Sequence, residues 1–249
     1  MKLYPVIFGI ALTFAAAISA APCAAEAAPA ISSDEQAARP VVVFVETNPW
    51  LMVIGSDVPS FVLYDDGTVI YRKGENFLTA VLPANEVARI VASARLADEV
   101  VNIEVSDATD QPTTSVLLSE NGKVSGVRIY GRVPSGERQG KLSPQMIDTV
   151  LALRKFEVAD AKPWLPKNIE VMIWPYEYAP EASIDWPRDW PGLKDPATVQ
   201  RVDVYSLFLP SAHLAELKAL LARQKARGAV KIGGHKWAVA WRLPLPGVR

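Results

Sequence analysis

From Pro40 onward the chain is written in short apolar runs punctuated by Asp-Gly, Asn-Gly and proline. That is the grammar of strands, tight turns and helix starts. Val41–Val45 is a β-branched run and predicts a first strand. Phe61–Asp65 and Thr68–Arg72 flank Asp66-Gly67, which predicts a hairpin closed by a two-residue turn with positive φ at both centres. Such a turn sets Leu63 opposite Ile70 on one face, with Val62 opposite Tyr71 and Tyr64 opposite Val69 on the other. Both faces are apolar, so this hairpin belongs in the interior of the fold with cover on each side.

Thr113–Glu120 and Lys123–Tyr130 repeat the grammar around Asn121-Gly122. The register pairs Glu120 with Lys123, Val116 with Val127 and Thr114 with Ile129. Ser115, Ser119, Gly126 and Arg128 share the opposite, mostly polar face, so this hairpin is expected to rest one-sided on the core with water behind it.

A helix is expected after each hairpin. Leu82-Pro83 precedes Ala84–Arg95, with Val87, Ile90, Val91 and Ala94 on one stripe, and Leu142-Ser143-Pro144 precedes Gln145–Phe156, with Met146, Ile147, Val150 and Leu151. Proline at a helix start loses no hydrogen bond, because that N–H has no intrahelical partner. A third helix is expected over Ser211–Arg227, with Leu214, Leu217 and Leu221 inward and Gly228 as its stop. Arg223, Lys225 and Arg227 in its last turns would complement the helix dipole. Hairpin followed by helix, twice over, has the form of an internal repeat of about 60 residues; chance reuse of the same punctuation explains it as well.

Ile169–Trp174, Val202–Phe208, Val230–Ile232 and Trp237–Leu243 add four further strands, the last two joined through Gly233-Gly234-His235-Lys236. The expected class is therefore α+β, with antiparallel β-hairpins and sheets packed against three main helices. A boundary near Ala159–Pro166 divides the chain into an α+β domain over 41–158 and an α+β C-terminal region over 159–249, unless the two form one composite domain. The stretches FVLYDDGTVIYR, LPANEVARIVASA and IEVMIWPYEYAPE resemble parts of bacterial exported proteins of unknown function. The resemblance implies no activity, and no site residue follows from it.

The N-terminal segment changes the picture, because it is an address. Lys2 precedes Leu3–Ala25, an uncharged run of Val, Ile, Phe, Leu and Ala ending in small residues. That is the layout of a secretory signal over residues 1–24, with cleavage sites after Ala20, Ala21 or Ala24. Two rivals are an uncleaved anchor in the inner membrane, for which about 20 apolar residues suffice, and a lipoprotein modified at Cys23. The alanine-rich second half of the run opposes the first, and Pro22 opposes the second. Residues 25–40 are small, polar and proline-punctuated, and read as a disordered tether. The expected location is the periplasm or the medium, with no membrane span once the leader is removed.

Composition narrows the function classes. Lysine and arginine number 26 against 27 aspartates and glutamates, with no long run of either sign, so the electrostatic footprint of a nucleic-acid binder is missing. Cys23 is the only cysteine, so an intramolecular disulfide and a thiolate metal site are excluded. His213 and His235 alone do not make a zinc centre. Ser56 and Ser135 lack the strand–turn–helix flanks of a nucleophile elbow, and Gly131, Gly136 and Gly140 lack phosphate-loop spacing. Asp65, Asp66, Asp107 and Asp110 sit at turns, where aspartate bonds its own backbone. No cofactor or metal is expected.

The candidate contact surface is Pro163–Pro196, where prolines alternate with rings. Trp174, Tyr176, Tyr178, Trp186 and Trp190 are the candidate ligand-binding residues, offering ring faces to a glycan, a peptide or an envelope protein. The competing reading buries the Trp-Pro pairs over a sheet face or an edge strand. Two functions stay open: a non-catalytic binding or structural module of the bacterial envelope, and a carbohydrate-binding or glycan-processing protein with acids from Glu177, Asp185 or Asp189.

Overall fold

The computed structural model describes residues 38–51, 53, 55–133 and 140–248. The leader, all of the tether before Ala38, Ser135 and Gly136 lie outside the described residues. From Ala38 onward the chain forms one compact unit, with no break at Ala159–Pro166. Its fold is α+β, with fourteen strands in two sheets and three helices among the described residues.

The first sheet contains β1 (Pro40–Thr47), β2 (Phe61–Tyr64), β3 (Thr68–Lys73), β4 (Asn76–Val81), β5 (Val100–Glu104), β6 (Thr113–Glu120), β7 (Lys123–Tyr130) and β8 (Lys162–Trp164). Their spatial order is β5-β7-β6-β1-β2-β3-β4-β8, antiparallel except for the β5–β7 pair. The second sheet contains β9 (Asn168–Pro175), β10 (Ile184–Asp185), β11 (Val199–Arg201), β12 (Val204–Pro210), β13 (Val230–Ile232) and β14 (His235–Arg242). Its order is β10-β13-β14-β9-β12-β11, with only β10–β13 parallel.

The β2–β3 hairpin takes the central position that its two apolar faces demand. Phe61, Leu63, Val69 and Tyr71 enter one core with Val116, Leu118, Val127 and Ile129. The helices α1 (Ala84–Ala94) and α2 (Pro144–Arg154) cover that core through Ile90, Ala94, Ile147, Val150 and Leu153. Ser143 caps α2, its Oγ accepting from Met146 N–H at 3.2 Å, with Pro144 at the first turn. Val62, Tyr64 and Ile70 point the other way, into a second core with Ile169, Val171, Ile173, Leu207 and Leu209 of the second sheet.

The expected register of this hairpin is off by one. Leu63 pairs with Val69, Val62 with Ile70 and Phe61 with Tyr71. Gly67 N–H donates to Tyr64 O at 3.1 Å, and only Gly67 of the Asp-Gly pair has positive φ, +83°. The connection is thus a turn over Tyr64–Gly67 followed by a left-handed glycine, the three-residue loop with a bulge rather than the two-residue loop. Asp66 has another task, since its carboxylate accepts from both Thr68 N–H and Thr68 Oγ1. The second hairpin has the expected register throughout, because Asn121 and Gly122 both take positive φ, +52° and +77°.

The third helix is shorter than expected. A single 3₁₀ turn at Ser211–His213 leads into α3 (Leu214–Ala222), and Leu220 joins Leu217 in the core. Residues 223–229 lie beyond the helix, and the segment at 181–184 takes up backbone groups of Arg227 and Ala229. Ile184 N–H donates to Ala229 O at 3.0 Å, and Arg227 N–H to the Glu181 carboxylate at 2.6 Å. Arg223 therefore stands at the C-cap, and Lys225 and Arg227 lie beyond the helix end whose dipole they were expected to complement.

Candidate functional site

Strand alternation builds a cleft between the sheets. On β1 the even positions Val42 and Phe44 are buried under the helices, which turns Val43 and Val45 to the opposite face. On β6 the same alternation turns out Leu117 and Ser119. Near β2 and β3 this face is sealed by the second core. Beyond β1 it opens into a cleft of about 920 Å³. Phe208, Glu170 and Arg242 of the second sheet also line it, together with the loop Gly55–Pro59 and the closing segment Leu243–Val248.

One buried charge cluster stands in the cleft wall. Glu170 and Arg242 are paired positions on β9 and β14, and Phe208 faces Glu170 from β12. Arg242 Nε donates to Glu170 Oε2 at 2.7 Å, and Ser206 Oγ donates to Glu170 Oε1 at 2.7 Å. Arg242 Nη1 also donates to Gly55 O at 3.0 Å, tying the loop after β1 to the second sheet. The Glu170 side chain is 5% exposed and that of Arg242 21%. Both carboxylate oxygens of Glu170 are thus engaged, as an ion buried in a sheet interface requires.

Asp57 lies in the same loop and accepts from Asn48 N–H at 3.0 Å. Burial raises its carboxyl above the ordinary aspartate value, against the opposing pull of that hydrogen bond and of Arg72. Burial also lowers Arg72, which stacks over the Phe77 ring at 5.2 Å. Arg39 at the cleft mouth pairs with Asp65, where its N–H and guanidinium hold the carboxyl below the usual range.

The five aromatic candidates do not form one surface. Trp186 and Trp190 are buried in the second core, packed edge to face with centroids 4.9 Å apart. Trp186 Nε1–H donates to Pro191 O at 3.0 Å, and Trp190 leans on His213 at 5.5 Å. Their ring faces are therefore not available to a ligand, and the Trp-Pro pairs cover the second sheet and α3. Trp174 alternates with buried Ile173 and stays 40% exposed. Tyr176 packs partly on Met172 and Val53, whereas Tyr178 is 96% exposed.

The other candidates have local partners or none. Glu177 meets His235 Nδ1 at 3.0 Å and accepts from Lys236 N–H at 3.3 Å, where β14 begins after the Gly233-Gly234 turn. Glu216 lies 2.8 Å from His213 Nδ1. Asp185 belongs to β10, outside the cleft, and Asp189 stands in the loop before Trp190. Among the described residues no three His, Cys, Asp or Glu side chains converge as a metal site would need. No described helix is long and apolar enough to cross a membrane.

The cleft leaves no local signal in the sequence, but its wall does. Glu170 interrupts the apolar run of β9, and Arg242 ends the apolar run of β14. Two opposite charges in two buried strands point to each other as partners. Comparison with family models, with curated proteins and with solved structures gives no match for this chain.

Proposed function

We propose that this chain is an exported binding module of the bacterial envelope, without catalytic activity, whose ligand seats in the cleft between the two sheets. The cleft carries the reading. Its volume of about 920 Å³ falls within the roughly 300–1,000 Å³ typical of small-molecule sites. Val43, Val45, Leu117 and Phe208 on its surface are only half-buried, so covering them with a ligand removes apolar area from water. The carboxylates nearby are committed to structural partners, Glu170 to Arg242 and Ser206, and Asp57 to the Asn48 N–H. Export rests on the layout of Lys2 and Leu3–Ala25.

A thermal-shift screen of small molecules tests the binding half, run on the wild type and on Leu117→Asp, which places a charge on the cleft floor. Cleft ligands raise the wild-type Tm and fail to raise that of the variant. Hits that survive Leu117→Asp place binding elsewhere and refute the reading. N-terminal sequencing of the protein from a periplasmic extract tests export. A new terminus after Ala20, Ala21 or Ala24 is expected, and a chain that keeps Met1 and stays in the cytoplasm refutes it. The carbohydrate reading retains Trp174 and Tyr178 as its exposed rings. An oligosaccharide panel in which binding is lost on Trp174→Ala would favour it.

A further inference from the structure

We propose that β5 is a docking edge, where an extended basic segment of another protein pairs with Val100, Asn102 and Glu104 and adds a ninth strand to the eight-stranded sheet. The proposal is independent of the cleft.

The main chain of β5 comes first. Glu99 O accepts from Gly126 N–H at 3.2 Å, and Val105 N–H donates to Tyr130 O at 2.9 Å. In a parallel pair, alternate residues of a strand turn both main-chain groups toward the partner. With the register of β5 and β7, those residues are Val101 and Ile103, continued by Glu99 and Val105. Val100, Asn102 and Glu104 therefore turn their N–H and C=O outward. β5 ends the strand order, and no other described main-chain group bonds these three residues.

The other three sheet edges are too short to serve as templates. β10 has two residues, and β11 has three. β8 also has three, Lys162-Pro163-Trp164, and its proline has no N–H to offer. Short strands, lysine and proline are the usual protection of an edge. β5 has five residues, with no proline and no lysine among them.

Charge then selects the partner. Asp98, Glu99, Glu104, Asp107 and Asp110 are all exposed, and none forms an ion pair among the described residues. No lysine or arginine stands between Arg95, which pairs with Glu120, and Lys123. Set against Lys123 and Arg128 of β7 and Arg132 beyond it, the five acids leave an excess of two. An added strand lies directly beside β5 and about 9.5 Å from β7, two strand spacings away. The acids of β5 and its flanks are thus its closer neighbours. A second copy of this chain would bring the same acids to the seam, which opposes self-pairing and leaves basic side chains as the complement. Val101 and Ile103 share the helix-covered face with Val127 and Ile129, and Val101 is still 38% exposed. Apolar side chains at alternate positions of the incoming strand would cover it.

Amide hydrogen exchange read by nuclear magnetic resonance tests the proposal, with short peptides that alternate valine with lysine or valine with glutamate. The lysine peptide should bind and slow exchange at Val100, Asn102 and Glu104, the amides that turn outward. The glutamate peptide should bind about tenfold more weakly or worse. Asn102→Pro removes one outward N–H and leaves the ladder to β7 intact, so it should weaken the lysine peptide by about threefold to tenfold. Glu104→Lys with Asp107→Lys keeps every main-chain group and should abolish the preference for lysine. That charge-reversed variant and the exchange pattern decide the matter if Asn102→Pro does not fold. No binding of the lysine peptide at about 1 mM, equal binding of both peptides, or unchanged exchange at the three outward amides overturns the proposal. So does full affinity in a folded Asn102→Pro, or an undiminished preference for lysine after charge reversal.

Discussion

Arg242→Met isolates the buried ion pair that joins the cleft wall to the sheet. Methionine keeps much of the stem and its packing but removes the bonds to Glu170 at 2.7 Å and to Gly55 O at 3.0 Å. Glu170 is then left as a carboxylate with a side chain 5% exposed and Ser206 as its remaining partner. Stranding one member of a buried pair costs about 3–5 kcal/mol. Spread over a chain of this size, that lowers Tm by roughly 6–20 °C. Glu170→Gln removes the charge while keeping an acceptor for Ser206, and it strands only an arginine that reaches water, so its cost is smaller, about 1–2 kcal/mol. The double variant Glu170→Gln/Arg242→Met has no stranded charge and should be more stable than Arg242→Met alone. Urea unfolding of all four proteins, read by far-UV circular dichroism, gives the cycle. A loss below about 1 kcal/mol for Arg242→Met, or a double variant whose cost equals the sum of the singles, would refute the account of a desolvated, mutually dependent pair.

Asp57→Asn should raise Tm at neutral pH. Burial raises the Asp57 carboxyl, so the folded state holds its proton more tightly than the unfolded chain, and ionisation costs stability as pH climbs above 3.8 and through the raised value. The gain should vanish below pH 3.8, and an equal gain at pH 3 and pH 7 would count against burial as its cause. Val202, at φ +56° and 86% exposed, opens the two-residue turn between Arg201 and Val204. A β-branched side chain is strained there, so Val202→Gly should stabilise by about 1 kcal/mol after the added freedom of the unfolded chain is subtracted; loss of stability in urea unfolding contradicts this. Trp186→Ala should cost about 3–5 kcal/mol as a buried aromatic truncation. Iodide should quench Trp50 and Trp174, which are 74% and 40% exposed, and leave Trp186 and Trp190 unquenched; efficient quenching of the buried pair contradicts the packing.

Local chemistry was enough for the parts that are local. The apolar alternation of β2 and β3 set their place between two cores, because a hairpin with two greasy faces has nowhere else to go. Asn121-Gly122 set the register of β6 and β7, since both residues accept positive φ. The same logic failed at Asp66-Gly67, where the aspartate bonds Thr68 and the turn closes one residue earlier. Pro83 and Ser143-Pro144 marked two helix starts.

What the sequence could not supply was which faces meet. The Trp-Pro stretch has the same residues whether its rings are displayed or buried. Their burial was decided by the second sheet and α3, which present Ile173, Leu207 and Leu217 for Trp186 and Trp190 to cover. The path of the chain after α3 was decided likewise by the segment at 181–184, far away in sequence, which bonds Arg227 and Ala229. The cleft belongs wholly to this second category. Val43, Leu117, Phe208, Glu170 and Arg242 come from five strands and become one surface only when the two sheets are placed against each other. Periodicity and turn chemistry act over a few residues, whereas a cleft is the space left between elements, and that space exists only in the assembled fold.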